Sequence, residues 1–401
     1  MATSTTLARS EAPSLRDFLE LELLDNRYPA LHGLRVIGIV LVLQYHVTQS
    51  LFVALQLPMN RAWAKTSMTI LFGMDLFFVL SGFLIGSILL RSLDSASPRY
   101  FGRFYMRRAF RTFPLYYLVL TFLALTTALT ATQRHNLVFD YAYLTNYRVL
   151  STAHNGDAFT SVMPWGWSLG VEEHFYLLVP LLFVILRWLR TDRARLAVLG
   201  TVWLSALVVR LLLYLYYPAG LAAAYVRTHT RADTLTAGVI VAYVHHRWGD
   251  QMARWMESPA ARAIVAVPTI GCLYVLLNPD IFGDDALAAV FYWGTFTSIM
   301  YVGFVLLLLH GGNGWLQRAL SAPLFRPIAT LGYGVYLVHL PICYAFINPG
   351  ASALVRRWGW SMAAVWPLSL AALIAASLIM AYVLHVVVEK PSLRLRDRLA
   401  G

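Results

Sequence analysis

The stretch LRVIGIVLVLQYH, Leu34 to His46, is apolar except for an arginine near its start and the Gln-Tyr-His at its end. Of all 401 residues, 59% are hydrophobic and 13% are charged, whereas about a quarter are charged in soluble proteins. Several other apolar runs are at least as long, and about 20 such residues cross the hydrocarbon core of a bilayer. The composition therefore predicts a helical protein that crosses a membrane several times.

The predicted fold is an all-α, polytopic transmembrane bundle of about ten spans. Outer-membrane barrels are excluded, because their alternation of apolar and polar residues is not seen in the sequence. The predicted spans are 35–54, 70–90, 112–131, 166–187, 196–217, 231–247, 261–279, 286–310, 328–348 and 361–388.

Positively charged residues predict the orientation of the bundle. If the N-terminus is cytoplasmic, 23 Arg and Lys residues fall on the cytoplasmic side and eight on the other, with Arg210 inside a span. Cytoplasmic loops are enriched in Arg and Lys, so both termini are expected in the cytoplasm. The net charge of +12 then reflects topology, and no nucleic-acid partner is expected.

Little of the chain lies outside the membrane. We expect a polar cytoplasmic segment over 1–30, one membrane domain over 31–395 and a short cytoplasmic tail over 396–401. Residues 14–24 are expected to form a short amphipathic helix on the membrane surface. The two cysteines, Cys272 and Cys343, occupy separate apolar runs, so neither a disulfide nor a metal site is predicted.

Arg35 and His46 share one face of their predicted helix. They are 11 residues apart, which at 100° per residue gives three turns plus about 20°. At 1.5 Å per residue, their heights in the membrane differ by about 16 Å. Arg35 is therefore expected near the cytoplasmic surface and His46 beyond the midplane.

Further ionisable residues are predicted in the outer half of the membrane, about 16–24 Å above the cytoplasmic ends of their spans. A network of ion pairs between helices would use both arginines and two of the four carboxylates. Two acids and two histidines, His46 included, would then remain for a site, since charges retained in a membrane usually mark one. The residues are Asp75, Glu172, Glu173, Arg210, Arg231, Asp233 and His339.

A second group of charges is predicted near the cytoplasmic surface, where FGRFYMRRAFRTFPLYY leads into the third span. Arg108 and Arg111 are three residues apart and share a helix face, with Arg107 beside them. Arg103 fits the general cytoplasmic excess of positive charge. Because each guanidinium can bind two oxygens, the arginine pair and Arg35 are suited to phosphates.

Phosphate-binding arginines and a histidine half a membrane away suit a ligand with an anionic head and a long reactive arm. Acyl-coenzyme A has this shape, and it is expected as a donor substrate rather than as a permanently bound cofactor. A histidine can take the proton of an acceptor hydroxyl while that oxygen attacks the thioester. Neither Ser81 nor Ser168 has the G-x-S-x-G context of a serine nucleophile, so direct transfer is expected.

Seven motifs, in this order, resemble the acyltransferase-3 family of integral-membrane acyltransferases. The resemblance covers about 31–395, with departures at His32, Val335 and Lys390, none of which is an expected catalytic group. The motifs are LHGLRVIGIVLVLQYH, GMDLFFVLSGFLIG, FYMRRAFRTFPLYY, WSLGVEEHFYLLVPLL, RADTLTAGVIVA, LGYGVYLVHLPI and VEKP.

The resemblance implies transfer of an acyl group, often acetyl, from cytoplasmic acyl-CoA to a hydroxyl of a sugar, polysaccharide, glycolipid or glycosylated small molecule. It implies that His46 is catalytic and that Glu172 or Glu173 supports His46 or the acceptor. The expected location is the inner membrane of a bacterial cell. The arginines expected to bind the donor are Arg35, Arg107, Arg108 and Arg111.

Two other functions remain open from the sequence. A transporter or flippase could use the same intramembrane polar groups, although the Gly- and Pro-broken helices in matched halves that many transporters carry are not evident. A scaffold or sensor that depends on a partner would tolerate the loss of His46. Only the enzyme would consume acyl-CoA.

Overall fold

A computed structural model describes residues 19–57, 73–91, 97–148 and 160–400, and these residues are mostly helical. Residues 14–18 of the predicted surface helix lie outside the described residues, as does the start of the second predicted span, 70–72. Residues 21–24 are described and are not helical, so the prediction of a helix there is wrong. The helices are α1 Pro29–Leu55, α2 Gly73–Leu90, α3 Pro98–Thr126, α4 Ala131–Tyr141, α5 Thr145–Arg148, α6 Trp167–Trp188, α7 Asp192–Tyr216, α8 Leu221–Ala224, α9 Ala232–Trp255, α10 Pro259–Leu277, α11 Asp285–Phe291, α12 Thr297–His310, α13 Trp315–Leu320, α14 Phe325–Ile342, α15 Asn348–Trp358, α16 Met362–Leu384 and α17 Lys390–Ala400.

Nine helical segments of the described chain are long and apolar enough to cross a membrane. They coincide with nine of the ten predicted spans, so the prediction of a multi-pass helical membrane protein is confirmed. The remaining span, predicted at 231–247, forms helix α9 but is not among these nine segments. The cytoplasmic location of the termini stays a prediction.

Helix α9 is enclosed by other helices, which explains how it tolerates polar residues. Its residues 233–239 are all buried. At Gly238 a Cβ atom would lie 2.6 Å from the backbone nitrogen of Phe83 and 2.9 Å from the carbonyl carbon of Gly82. Small residues permit such close approach of two membrane helices. The backbones of α9 and α2 are therefore in direct contact.

Two apolar clusters fill the bundle, and α1 contributes to both. The first cluster combines Leu34 of α1 with side chains of α2, α6, α9 and α12. The second combines Ile39 and Leu43 of α1 with side chains of α3, α14 and α16. The boundary between the clusters therefore meets α1 between Leu34 and Ile39.

Helix α3 begins at Pro98, so the predicted start at 112 is wrong. The earlier start adds about 21 Å of helix. Ser97 caps this end by accepting a hydrogen bond from the backbone of Tyr100, and proline is favoured in a first turn. Hydropathy marks only the apolar part of a helix, and so it missed the arginine-rich turns. Arg108 and Arg111 consequently lie well inside α3.

Two side chains from the C-terminal part of the bundle hold α3 in place. Pro114 has no N–H, so the carbonyl of Phe110 lacks its usual helical partner. Ser392 of α17 donates to that carbonyl at 2.7 Å. The hydroxyl of Tyr333, on α14, donates to the carbonyl of Thr112 at 2.8 Å. These bonds fix the turns that carry Arg108 and Arg111.

Replacing Gly238 with leucine should destabilise the bundle by about 1–3 kcal/mol, because the new side chain would force α9 away from α2. Thermal unfolding in one detergent would show this as a lower melting temperature. Gly200 of α7 has open space around it, so Gly200→Ala is the matched control. An unchanged melting temperature for Gly238→Leu would contradict the contact between the two backbones.

Candidate active site

A cavity of about 160 Å³ lies at the boundary between the two apolar clusters. Leu80 and Leu84 of α2 form one wall, and Ile39, Leu43 and Val335 form another. The polar lining comes from α1, α2, α3, α6, α14 and the turn after α4. It consists of Arg35, Ser81, Arg108, Arg111, Thr112, Tyr143, Ser168, Glu172, Glu173, Tyr176, Tyr333 and Tyr336.

Tyr176 connects the arginines to the glutamates. The guanidinium carbon of Arg108 lies 4.6 Å from the centre of the Tyr176 ring, within the range of a cation–π interaction. The Tyr176 hydroxyl donates to Glu172 Oε2 at 3.0 Å. Ser81 can then donate to the same hydroxyl oxygen, at 2.7 Å. One chain of contacts therefore joins α3, α6 and α2.

The cavity unites two groups of charges that the sequence placed at different depths. Glu172 and Glu173 were expected far above the cytoplasmic arginines, yet Arg108 and Arg111 line the same cavity. The predicted separation is wrong because α3 begins so much earlier than its apolar run. The neighbouring Arg107 is exposed on α3 and is not among the residues that line the cavity.

The arginines and glutamates of the cavity balance each other electrostatically. Arg108, Arg35 and Arg111 all act on the carboxylate of Glu172. Glu173 lies next to Glu172 in the sequence and lines the cavity together with Thr112. A charge removed from water is tolerated only where an opposite charge or hydrogen bonds replace the water. The site therefore holds cations and anions in one partly enclosed space.

His46 lies further along α1, beside His339 of α14. The two imidazole centroids are 4.9 Å apart and the ring planes make an angle of 45°. His46 is partly exposed, whereas His339 is fully buried. The ring of Tyr45 also lies against His46, at 5.0 Å. Within the described residues, no glutamate hydrogen-bonds to His46, and Glu172 has the partners described above.

Tyr336 links the histidine pair to the cavity. Its side chain lines the cavity, and its hydroxyl donates to the carbonyl of Trp165 at 2.5 Å. Ser168 can then donate to the hydroxyl oxygen of Tyr336, at 2.6 Å. The carbonyl of Tyr336 accepts from His339 Nδ1 at 2.6 Å. The histidine pair therefore begins one helical turn beyond the cavity wall.

The remaining intramembrane charges form two buried ion pairs. Arg231 pairs with Asp75 of α2. Arg210 of α7 pairs with Asp233 of α9 at 2.6 Å, and both of these side chains are fully buried. The Arg210 guanidinium also donates to the carbonyl of Val290 at 2.8 Å. These pairs join helices, as expected for charges that have no water around them.

The pairing accounts for the surplus of acids in the sequence. Four carboxylates were predicted against two arginines, without a basis for choosing among them. The structure pairs Asp75 and Asp233 with the two arginines, and it places Glu172 and Glu173 in the cavity. The two aspartates therefore have structural partners, and the two glutamates are available to a ligand.

Sequence reasoning missed the tyrosines of the site. Tyr176 had a usable signal, because it follows Glu172 by four residues and so shares its helix face. Tyr143 had none: it has a left-handed backbone with φ of 57°, and its ring stacks on Tyr116 at 4.0 Å. Its hydroxyl is buried without a hydrogen-bond partner at the cavity wall. Such an unmet donor in a cavity is a natural contact for a ligand.

The fold and the site define an integral-membrane helical bundle with a charged internal cavity and a histidine pair beyond it. Residues 28–386 match the acyltransferase-3 family, which is described as an acyltransferase domain, and the chain belongs to this family. No solved structure matches the chain significantly.

Several curated bacterial proteins are similar to the chain. The peptidoglycan O-acetyltransferase OatA of Listeria monocytogenes is 28% identical over 328 residues, which are 78% of this chain and 49% of that protein. The putative peptidoglycan O-acetyltransferase YrhL of Bacillus subtilis is 28% identical over 329 residues, 79% and 49% of the two chains. A putative O-acetyltransferase of Staphylococcus aureus is 26% identical over 325 residues, 78% and 50%. The chain spans about half the length of these relatives.

Replacing Arg210 with leucine should destabilise the protein by about 3–5 kcal/mol, because Asp233 would remain buried without its counter-charge. Thermal unfolding in detergent measures the change. Arg247 forms an ion pair with Asp192 at the surface, where 59% of its side chain is exposed, so Arg247→Gln is the matched control and should change little. Equal effects of the two substitutions would contradict a structural role for the buried pair.

Proposed function

We propose that the protein is a membrane O-acyltransferase of the bacterial inner membrane. It would transfer a short acyl group, such as acetyl, from cytoplasmic acyl-CoA to a hydroxyl of a carbohydrate or glycosylated acceptor. One observation carries this proposal: an arginine-lined cavity ends one helical turn from His339, whose ring lies beside the partly exposed His46. Membership of the acyltransferase-3 family supports the reaction class.

The arginines of the cavity would hold the donor. Arg35, Arg108 and Arg111 come from two helices and converge on one space. Guanidinium groups bind phosphate oxygens in pairs, which suits the phosphates of coenzyme A. The volume of about 160 Å³ lies below the 300–1,000 Å³ typical of sites for whole drug-sized ligands. The cavity would therefore take the phosphates next to the arm, the thin arm itself and a short acyl group, with the adenosine outside.

His46 would act as the general base of the transfer. Its imidazole takes the proton of the acceptor hydroxyl as that oxygen attacks the thioester carbonyl. The carbon–sulfur bond then breaks, and the thiolate of coenzyme A receives a proton from the imidazolium. The products are an ester on the acceptor and the free thiol. All atoms and protons of the transfer are accounted for without a covalent enzyme intermediate or a metal.

The glutamates would serve the arginines and the acceptor rather than orient His46. Glu172 holds Tyr176 and balances the charge of Arg108, so the cavity stays organised while no donor is bound. Glu173 lies beside it on α6 and lines the same cavity. When an anionic donor binds, its phosphates would replace the glutamates as counter-charges of the arginines. The acceptor would then contact Glu173, on which one arginine acts, rather than Glu172, on which three act.

The acceptor is proposed as a carbohydrate because of the relatives. The Listeria protein is named for O-acetylation of peptidoglycan, a polymer rich in hydroxyl groups. For this chain, the proposed class covers glycans and glycosylated small molecules, with approach from the side of His46. A transporter with the same cavity is the alternative, and it would leave acyl-CoA intact.

His46→Ala should reduce the kcat of acyl transfer by about 10²–10⁴-fold, the usual contribution of a general base. The measurement is release of free thiol from acetyl-CoA by purified protein in the presence of peptidoglycan fragments, oligosaccharides and glycosylated small molecules. His135 is exposed on α4, so His135→Ala controls for the loss of a histidine. Equal thiol release by wild type and a folded His46→Ala protein would remove His46 from the mechanism.

Arg108→Gln and Arg111→Gln should each weaken acetyl-CoA binding by at least about tenfold. A hydrogen bond to a charged group contributes about 1.5–3 kcal/mol, and 1.4 kcal/mol corresponds to a factor of ten. Isothermal titration with acetyl-CoA measures the affinity directly. Arg103 is exposed on the same helix, so Arg103→Gln is the control. Unchanged affinity in both cavity variants would contradict the proposed donor site.

A further inference from the structure

The hydrogen bonds of His339 determine which of its ring nitrogens carries the proton. Nδ1 lies 2.6 Å from the carbonyl oxygen of Tyr336. A carbonyl only accepts hydrogen bonds, so Nδ1 must donate and Nε2 of the neutral ring must carry the lone pair. The fully buried side chain leaves that Nε2 without a hydrogen-bond partner. A buried acceptor left unmet is destabilising, so such an atom requires an explanation.

The ring next to this acceptor is that of His46. The two centroids are 4.9 Å apart, so small rotations about the side-chain torsions can bring two ring nitrogens to hydrogen-bond distance. The indole N–H of Trp165 is also buried without a partner, but its ring meets His339 edge to face at 6.4 Å. It makes no hydrogen bond to His339 in this arrangement. His46 is therefore the neighbour that can use Nε2 as the reaction proceeds.

We propose that His339 is the positioning residue for His46. This inference rests on the proposed function, in which His46 accepts a proton from the acceptor hydroxyl. The other ring nitrogen of His46 carries its N–H, and Nε2 of His339 accepts a hydrogen bond from it. That bond selects the tautomer of His46 whose lone pair faces the acceptor, and it stabilises the imidazolium after proton transfer.

The same role belongs to a carboxylate in the Ser-His-Asp arrangement, where loss of the orienting group lowers kcat by about 10⁴. Here a neutral imidazole replaces it. A carboxylate in this apolar position would need its own counter-charge, since a lone buried charge is strongly disfavoured. A neutral ring held by a backbone carbonyl offers an oriented lone pair without that requirement. His46 and His339 together then carry an additional proton only while the reaction proceeds.

The test compares two substitutions of His339 in the purified protein. In His339→Gln, the amide oxygen can occupy the place of Nε2 and accept a hydrogen bond, whereas His339→Leu offers no acceptor. His135→Leu, on exposed α4, is the control. The probe is acetyl-CoA with the acceptor that gives wild type its highest rate of thiol release.

His339→Leu should lower kcat by about 10²–10⁴-fold, with the KM for acetyl-CoA within about threefold of wild type. His339→Gln should recover at least about tenfold of that loss, which a purely structural role would not produce. Equal kcat values for the two variants, or an unchanged kcat in His339→Leu, would overturn the proposal.

A second measurement separates this inference from the proposed function. Magic-angle-spinning NMR of protein labelled with ¹⁵N-histidine reports the tautomer of each ring. The spectrum should show the Nδ1–H form for His339 and a change in the ring signals of His46 in His339→Leu. If wild type transfers no acyl group to any acceptor, the proposed function fails. The spectrum then still tests whether the rings of His46 and His339 are hydrogen-bonded. Ring signals of His46 that do not respond to His339→Leu would overturn the pairing.

Discussion

The ion pairs of Arg231 with Asp75 and of Arg210 with Asp233 are the interactions on which the rest of the structure depends. They bind α9 to α2 and α7, and so they allow a helix with polar residues to stand inside a membrane bundle. Removing one partner of a buried ion pair destabilises a protein far more than replacing both partners with apolar residues. Because both aspartates are engaged in this way, the carboxylates that face the cavity are those of α6.

The buried ion pairs join helices, whereas the charged side chains of α1, α3 and α6 face the cavity. One apolar cluster, with α9 at its side, supports the α2 and α6 walls of the cavity, and the other supports the α3 and α14 walls. Helix α1 belongs to both, so Arg35 stands at the boundary where the two clusters leave space, and His46 lies further along α1, beside the second cluster. The site is thus lined by helices from both clusters, which favours the fixed geometry that the proposed proton transfer and donor binding would need.

The sequence predicted the helical membrane fold well, because a long apolar run has few alternatives to a membrane helix. It also singled out the arginines and glutamates that line the cavity, but it placed them at two depths and included Arg107, which does not line the cavity. It failed where a helix began well before its apolar run, as at Pro98, since hydropathy cannot follow a helix into arginine-rich turns. Contacts between distant parts of the chain were also beyond it. The pairing of Asp75 with Arg231, the contact of His46 with His339 and the left-handed Tyr143 all depend on how separate helices and loops meet.

The most direct test of the account is to follow a ¹³C-acetyl label from acetyl-CoA in proteoliposomes that contain only this purified protein. Mass spectrometry would examine both the acceptor and coenzyme A. The account predicts a labelled acetyl ester on a hydroxyl of the acceptor, with one free coenzyme A for each ester formed. An acceptor that crosses the vesicle membrane unmodified, while acetyl-CoA remains intact, would contradict acyl transfer and favour transport.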